Sequence, residues 1–189
     1  MKRLPIIIAM LAFTMVQAQD KPALEDLPRN AVTISPVSLV MRTPSLTYEH
    51  KFSPHWALEA HVSGAFPLGE YSPDGVSLAL DARWYFGYAY PMAFFLEGGV
   101  YGAYGWLKCD VFTGNDGFDI HTQSYTYTGY HIRPSLMGGF RLQGMSGFIA
   151  ELRVGVVPDA LSTPDAIVRG IVTRSWVANY LGVKLGYAF

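Results

Sequence analysis

The sequence predicts an all-β chain: an eight-stranded antiparallel transmembrane up-and-down β-barrel with a polar, charge-paired interior. Three observations lead there. Apolar and polar residues alternate with a period of two along eight segments after residue 30. No run in the same region approaches the 18 or so consecutive apolar residues that a spanning helix needs. The connections between the segments alternate short and long, as barrel turns and loops do.

The composition fits. The 189 residues are 50% hydrophobic, with 14 Lys plus Arg against 15 Asp plus Glu and a formal net charge of −1. Such a chain buries a core, which excludes intrinsic disorder. It has no basic excess for gripping a phosphate backbone, so a nucleic-acid partner is not expected. The single Cys109 makes no internal disulfide and has no metal-ligand spacing, so neither a metal nor another cofactor is expected.

The N-terminus has the form of a secretory signal. Met1, Lys2 and Arg3 precede the apolar LPIIIAMLAFTMV, and VQAQD offers small residues for cleavage after Ala18 or Gln19. The expected organisation is a signal peptide at 1–19, a short periplasmic segment at 20–30 and the barrel at 31–189. No Cys lies near the cleavage point, which argues against a lipid anchor there.

The strands follow in order. The first, at 31–41 (AVTISPVSLV and Met41), is the weakest because Pro36 breaks its alternation. SLTYEHKF (45–52) sets Thr47, Glu49 and Lys51 against Leu46, Tyr48 and Phe52. WALEAHVSGAF (56–66) sets Glu59, His61 and Ser63 against Trp56, Leu58, Val62 and Phe66. VSLALDARWYF (76–86) sets Ser77, Asp81 and Arg83 against Val76, Leu78, Leu80, Ala82, Trp84 and Phe86. The segment at 94–108 sets Glu97, Gly99 and Tyr101 against Leu96, Val100, Tyr104 and Trp106. That at 127–142 sets His131, Arg133, Ser135 and Arg141 against Tyr130, Ile132, Leu136, Phe140 and Leu142. The segment at 147–157 carries Glu151 and Arg153 on its polar face. The last, at 175–189, alternates through Leu181, Val183, Leu185, Tyr187 and Phe189, with Asn179 as the exception and Lys184 on the other face. Bulges are expected at Pro36 and Pro134, the prolines that fall inside strands.

Orientation follows from charge. Turned outward, each Lys or Arg would cost about 2–4 kcal/mol at a bilayer midplane. The polar face must therefore point inward. The interior network is then Glu49, Lys51, Glu59, His61, Asp81, Arg83, Glu97, His131, Arg133, Arg141, Glu151, Arg153 and Lys184, whose charges nearly cancel. Hairpin arithmetic places Arg83 opposite Glu97 as an ion pair. It also places Glu49 opposite Glu59, a pair that repels unless a cation or a shared proton intervenes. Lys51 lies diagonal to Glu59, and arginines from across the barrel are expected to complete a salt-bridge lattice. An eight-stranded interior is just wide enough for its own side chains, which argues against a substrate cleft or wide pore.

The connections at 53–55, 87–93 and 143–146 are short, as periplasmic turns are. Those at 67–75, 109–126 and 158–174 are longer and polar, with Arg42–Pro44 tight; both termini are then periplasmic. Asp110, Asn115, Asp116 and Asp119 lack the spacing of a calcium loop and suit a turn at Asn115-Asp116-Gly117. Trp106 and Trp176 are expected at the outer interface, and Trp56, Phe86, Phe148 and Phe189 at the inner one. His50 faces outward at the periplasmic end.

The closing strand SWVANYLGVKLGYAF, with Tyr187 and terminal Phe189, resembles the assembly signal of bacterial outer-membrane β-barrels. The chain as a whole resembles the small OmpA- and OmpX-like eight-stranded barrels, without the periplasmic peptidoglycan-binding domain of full OmpA or a protruding first hairpin. PSLTYEHKFSPHWALEA is similar to uncharacterised barrels of Bacteroidota. The resemblance implies a Gram-negative outer-membrane protein in contact with membrane lipid and lipopolysaccharide, inserted by the barrel-assembly machinery. It implies a structural or surface-interaction role with no catalysis. Some small barrels of this kind remodel lipid A. A second reading is therefore a lipid A or phospholipid-modifying enzyme using His131 with Ser135, or His121 with Ser124 and Asp119. A narrow solute pore is a third. A soluble lipocalin-like barrel is disfavoured because the polar face points inward.

Overall fold

The computed structural model describes residues 28–66, 74–87, 91–115, 120–158, 161–162 and 177–189; for 107–115, 120–124, 127, 161–162 and 177–180 it describes the backbone. The expected signal peptide, most of the 20–30 segment, Trp176 and the turn after Asn115 lie outside the described residues, as do the side chains of Cys109, Asp110, His121 and Ser124.

The strands are β1 (Asn30–Ile34), β2 (Ser45–Lys51), β3 (Trp56–Ala65), β4 (Asp74–Phe86), β5 (Met92–Asn115), β6 (Ile120–Gln143), β7 (Phe148–Pro158), β8 (Leu161–Ser162) and β9 (Val177–Ala188). Each of β1 to β6 pairs antiparallel with its successor, and β9 pairs with both β7 and β1. The sheet is therefore closed. The two-residue β8 pairs with β6 where β7 would continue, so the wall has eight staves. Closure leaves no long free edge at the turn end, where Asn30 and Phe189 exchange backbone hydrogen bonds of 3.0 and 2.8 Å.

Period-two alternation sets the faces. In β2 the burial alternates at every residue from Ser45 to Lys51. Leu58 is 43% exposed whereas its neighbour Glu59 is 1% exposed. A belt of exposed apolar residues runs round the outside. On it Trp56 stacks on Trp84 with centroids 5.9 Å apart, and Phe94 tilts against Phe140 at 5.3 Å. Trp56, Phe86, Phe148 and Phe189 are all exposed near the end that carries the short turns. That end also carries Asn30 and Phe189, and Gly87 and Gly147 adopt the positive φ its turns require.

The structure departs from the sequence reading in three places. The first strand ends at Ile34, not at 41. Ser35 caps a one-turn helix, Pro36–Val40, whose first residue is the proline that was expected to form a bulge. The connection expected at 109–126 is largely strand, since β5 and β6 pair as far as Asn115 and Ile120. At Pro134 the ladder to β5 is unbroken. On the other side, pairing to β7 stops at Leu136–Val156 and pairing to β8 resumes at Ile132–Leu161, so three residues of β6 correspond to four in the facing sequence. Pro134, which has no N–H to donate, lies in that interruption, across which the register changes by one residue.

The closing seam is tight at its lower end. A Cβ on Gly186 would overlap the Val32 carbonyl oxygen and lie 2.6 Å from Thr33 Cγ2. Gly186→Ala is expected to destabilise the barrel by about 1–3 kcal/mol through overpacking. Gly102→Ala, where the nearest atom is 4.0 Å away, is expected to stay within about 0.5 kcal/mol. Urea titration followed by tryptophan fluorescence checks both.

Candidate functional site: the interior ion lattice

The site is the filled lumen. Parity sends Glu49, Glu59, Arg83, Glu97, Arg141, Glu151, Arg153 and Lys184 inward, and all eight are buried. They come from β2, β3, β4, β5, β6, β7 and β9, every stave except β1, whose inward Ala31 and Thr33 are small. Four carboxylates thus meet four cations.

Arg83 is the hub. Its Nη1 donates to Glu49 Oε2 at 2.8 Å and to Glu151 Oε2 at 3.0 Å. Its Nη2 donates to Glu59 Oε2 at 2.6 Å, Glu97 Oε2 at 2.5 Å and Glu151 Oε1 at 3.0 Å, and its Nε donates to Glu97 Oε2 at 2.9 Å. A planar guanidinium with five donors suits this role; an ammonium could not fan out to four carboxylates in one plane. The Phe95 ring lies 4.0 Å from Arg83 Cζ, adding a cation–π contact on one face.

The other cations complete the lattice. Arg141 takes Glu49 through two nitrogens, at 2.7 and 3.0 Å, and Glu151 through Nε at 3.1 Å. Arg153 bridges Glu59 and Glu97 at 3.1 and 3.0 Å. Lys184 Nζ lies 2.5 Å from Glu59 Oε1. Tyr85 Oη donates to Glu49 Oε2 at 2.7 Å. The charges balance within the cluster, so no carboxylate is left buried against another without a cation between them.

The expected Arg83–Glu97 pair is present and in register. Glu49 faces Glu59 as expected, and the intervening cation is Arg83. Lys51 is not the partner of Glu59: its Nζ sits 5.4 Å from the Tyr85 ring centroid. Asp81 accepts from Ser135 Oγ at 2.6 Å. Tyr85 and Phe95 belong to the site although sequence reading passed over them. Each shares the parity of a neighbouring inward charge, Arg83 or Glu97, and that was the available signal.

Above the lattice, toward the long connections, the lumen opens into a cavity of about 350 Å³ whose lining includes Ser45, His61, Ser63, Ser77, Tyr101 and His131. Thr47 Oγ1 and His61 Nδ1 are 3.0 Å apart, and the Tyr101 and His131 rings stack at 5.5 Å. Arg133 is buried near this level. His131 and Ser135, the candidate catalytic pair, are not assembled. They lie four residues apart on one strand, about 13 Å along its axis. Ser135 is engaged by Asp81 and His131 stacks on Tyr101.

Fold and filled lumen together define a class: a closed, eight-stranded antiparallel barrel, apolar outside and ion-paired within, the architecture of small outer-membrane barrels. Among solved structures the chain is similar to the N-terminal β-barrel domain of Pseudomonas aeruginosa OprF, with a TM-score of 0.54 and 9% identity, covering 87% of this chain and 100% of that one. Neisserial surface protein A aligns at a TM-score of 0.46 and 10% identity over 85% and 94% of the two chains. The Yersinia pestis attachment invasion locus protein Ail aligns at 0.44 and 10% over 85% and 93%. No family model matches the chain, and no curated protein matches it by sequence.

A shared hub predicts unequal costs. Glu97→Gln leaves Arg83 with three carboxylates and is expected to cost about 1–3 kcal/mol. Arg83→Gln removes the one cation common to all four acids, leaving them to Arg141, Arg153 and Lys184, and is expected to cost about 3–5 kcal/mol. The double variant is expected to stay less stable than Glu97→Gln alone, because Glu49, Glu59 and Glu151 still lack their common cation. A double-mutant cycle in urea measures this.

Proposed function

We propose that the chain is an integral outer-membrane β-barrel protein with a structural or surface-interaction role, its lumen closed by the ion lattice. The observation that carries this reading is the inversion of polarity. Large apolar side chains such as Leu78 and Val154 are more than half exposed, while Arg83, Arg141 and Lys184 are at most 2% exposed. Water does not stabilise such an outer belt, whereas a bilayer does. The strands also suit a membrane: β3, β4 and β7, at 10 to 13 residues, meet the 9–11 or so a tilted spanning strand needs.

In this reading the short turns and both termini face the periplasm, and the long connections meet lipopolysaccharide or a surface partner. The N-terminal signal directs export. Tyr187 and Phe189, exposed at the turn end of β9, present the assembly signal to the barrel-assembly machinery. Arg83 and its four carboxylates block the lumen, which disfavours a solute pore.

Two measurements test this. In a Cys109→Ser background, Arg42→Cys is expected to react with a membrane-impermeant maleimide on intact cells, and Met145→Cys, in the β6–β7 turn, only after lysis. The reverse pattern would invert the orientation, and recovery in the soluble fraction would overturn membrane insertion. In planar bilayers the wild-type protein is expected to show no conductance steps; steady channels would contradict a closed lumen.

A further inference from the structure

Among the described residues, the strand pairing of the barrel wall is incomplete on one side. β9 runs beside β7 for its whole length, from Tyr187 opposite Phe148 to Val177 opposite Pro158. On its other edge it pairs with β1 only from Ala188 to Leu185. The hydrogen-bonded Asn30–Phe189 pair fixes the phase: odd-numbered residues of β9 turn their N–H and C=O toward β1, and even-numbered ones toward β7, as Ala188 N–H does to Gly147. Val183 and Leu181 therefore present backbone donors and acceptors to a place where β1 has ended. Pro36, the residue that would stand opposite Val183, has no N–H and begins the helix. Among the described residues, no backbone hydrogen bond joins that edge to the helix.

What borders the gap is amphipathic. On the outside, Leu181 is 71% exposed and Val40 of the helix 83%. On the inside, Ser38 of the same helix lines the cavity, its hydroxyl 2.9 Å from that of Ser45, with Thr43, Ser63 and Ser77 beyond. The cavity's volume is about a dozen times a water's share of the liquid, about 30 Å³, so it takes a small headgroup. A chamber lined by five Ser and Thr hydroxyl side chains, with His61, His131 and Asp74 also on its wall, is thus separated by the helix from an apolar belt, beside a stretch of β9 with no strand pairing to β1.

We propose that the seam between β9 and the helix Pro36–Val40 is a lateral portal for a single-chain amphiphile with a hydroxylated headgroup. The headgroup occupies the serine-lined cavity and hydrogen-bonds to the open β9 edge, and the hydrocarbon chain passes out across Leu181 and Val40. An unpaired strand edge in hydrocarbon is costly, and a bound headgroup relieves it. The inference rests on the membrane reading above.

The test uses a monoacylglycerol carrying a photoreactive diazirine in its chain, added to the full protein in phosphatidylcholine vesicles, with crosslinks mapped by peptide mass spectrometry. Labelling of 37–41 and 181–183 is expected to saturate and to be displaced by unlabelled monoacylglycerol, over a diffuse, non-saturable background on belt residues such as Leu78. Filling the cavity with Ser63→Trp is expected to lower the saturable labelling at least tenfold and leave the background unchanged. Leu181→Trp, placed outside the cavity, is expected to weaken labelling of the helix as well. Heat-modifiable gel migration confirms that each variant is folded, and a variant that fails to fold is replaced by Ser45→Leu at the same cavity wall. Saturable labelling insensitive to every cavity variant, or uniform labelling of the belt, overturns the portal while leaving the membrane reading intact. Absence of labelling anywhere on the belt overturns both.

Discussion

The structure depends on one constraint: a lumen closed by eight staves must be filled, and a filling of charged side chains must pair each acid with a cation. The Arg83 guanidinium meets it. By engaging Glu49, Glu59, Glu97 and Glu151 together, it links β2, β3, β4, β5 and β7 through one side chain. Arg141, Arg153 and Lys184 then bring in β6 and β9. The lattice does for this barrel what an apolar core does for a soluble domain, with the polarity reversed. It is also directional: Arg83 reaches all four acids only when the staves stand in their observed registers, because a one-residue slip would turn a stave's charges outward.

The face each residue takes was legible in the sequence, because in a strand the side-chain period is two and a single charge fixes the parity of its whole segment. Arg83 opposite Glu97 and Glu49 opposite Glu59 follow from turn length alone, and both registers are observed. Contacts across the lumen were not legible. Glu59 is 125 residues from Lys184 in sequence, and nothing local says which of several cations reaches it; Lys51, nearer by diagonal pairing, turns to the Tyr85 ring instead. Tyr85 and Phe95 were hidden because aromatic residues suit either face of such a wall. The first strand misled because AVTISPVSLV carries no charged residue to fix its parity, and such a segment serves equally as a belt strand or as the short helix that Ser35 and Pro36 start.

The two ends of the barrel are built differently. At the turn end the lattice stands above the buried cluster of Ala57, Tyr85, Ala93 and Phe95. The loop end is built otherwise. There the lumen widens into a serine-lined cavity, and the wall loses a stave where β1 gives way to a helix with no buried residue.

Arg83 is held among four carboxylates, buried in the filled lumen. Its side-chain N–H signals, assigned by comparison with Arg83→Lys in isotope-labelled protein in lipid nanodiscs, test that most directly by hydrogen exchange. Protection of the Nε and both Nη groups over hours, with restricted rotation of the guanidinium, is the predicted result. Exchange as rapid as that of a solvent-exposed arginine would mean that water reaches the hub, and would contradict the account.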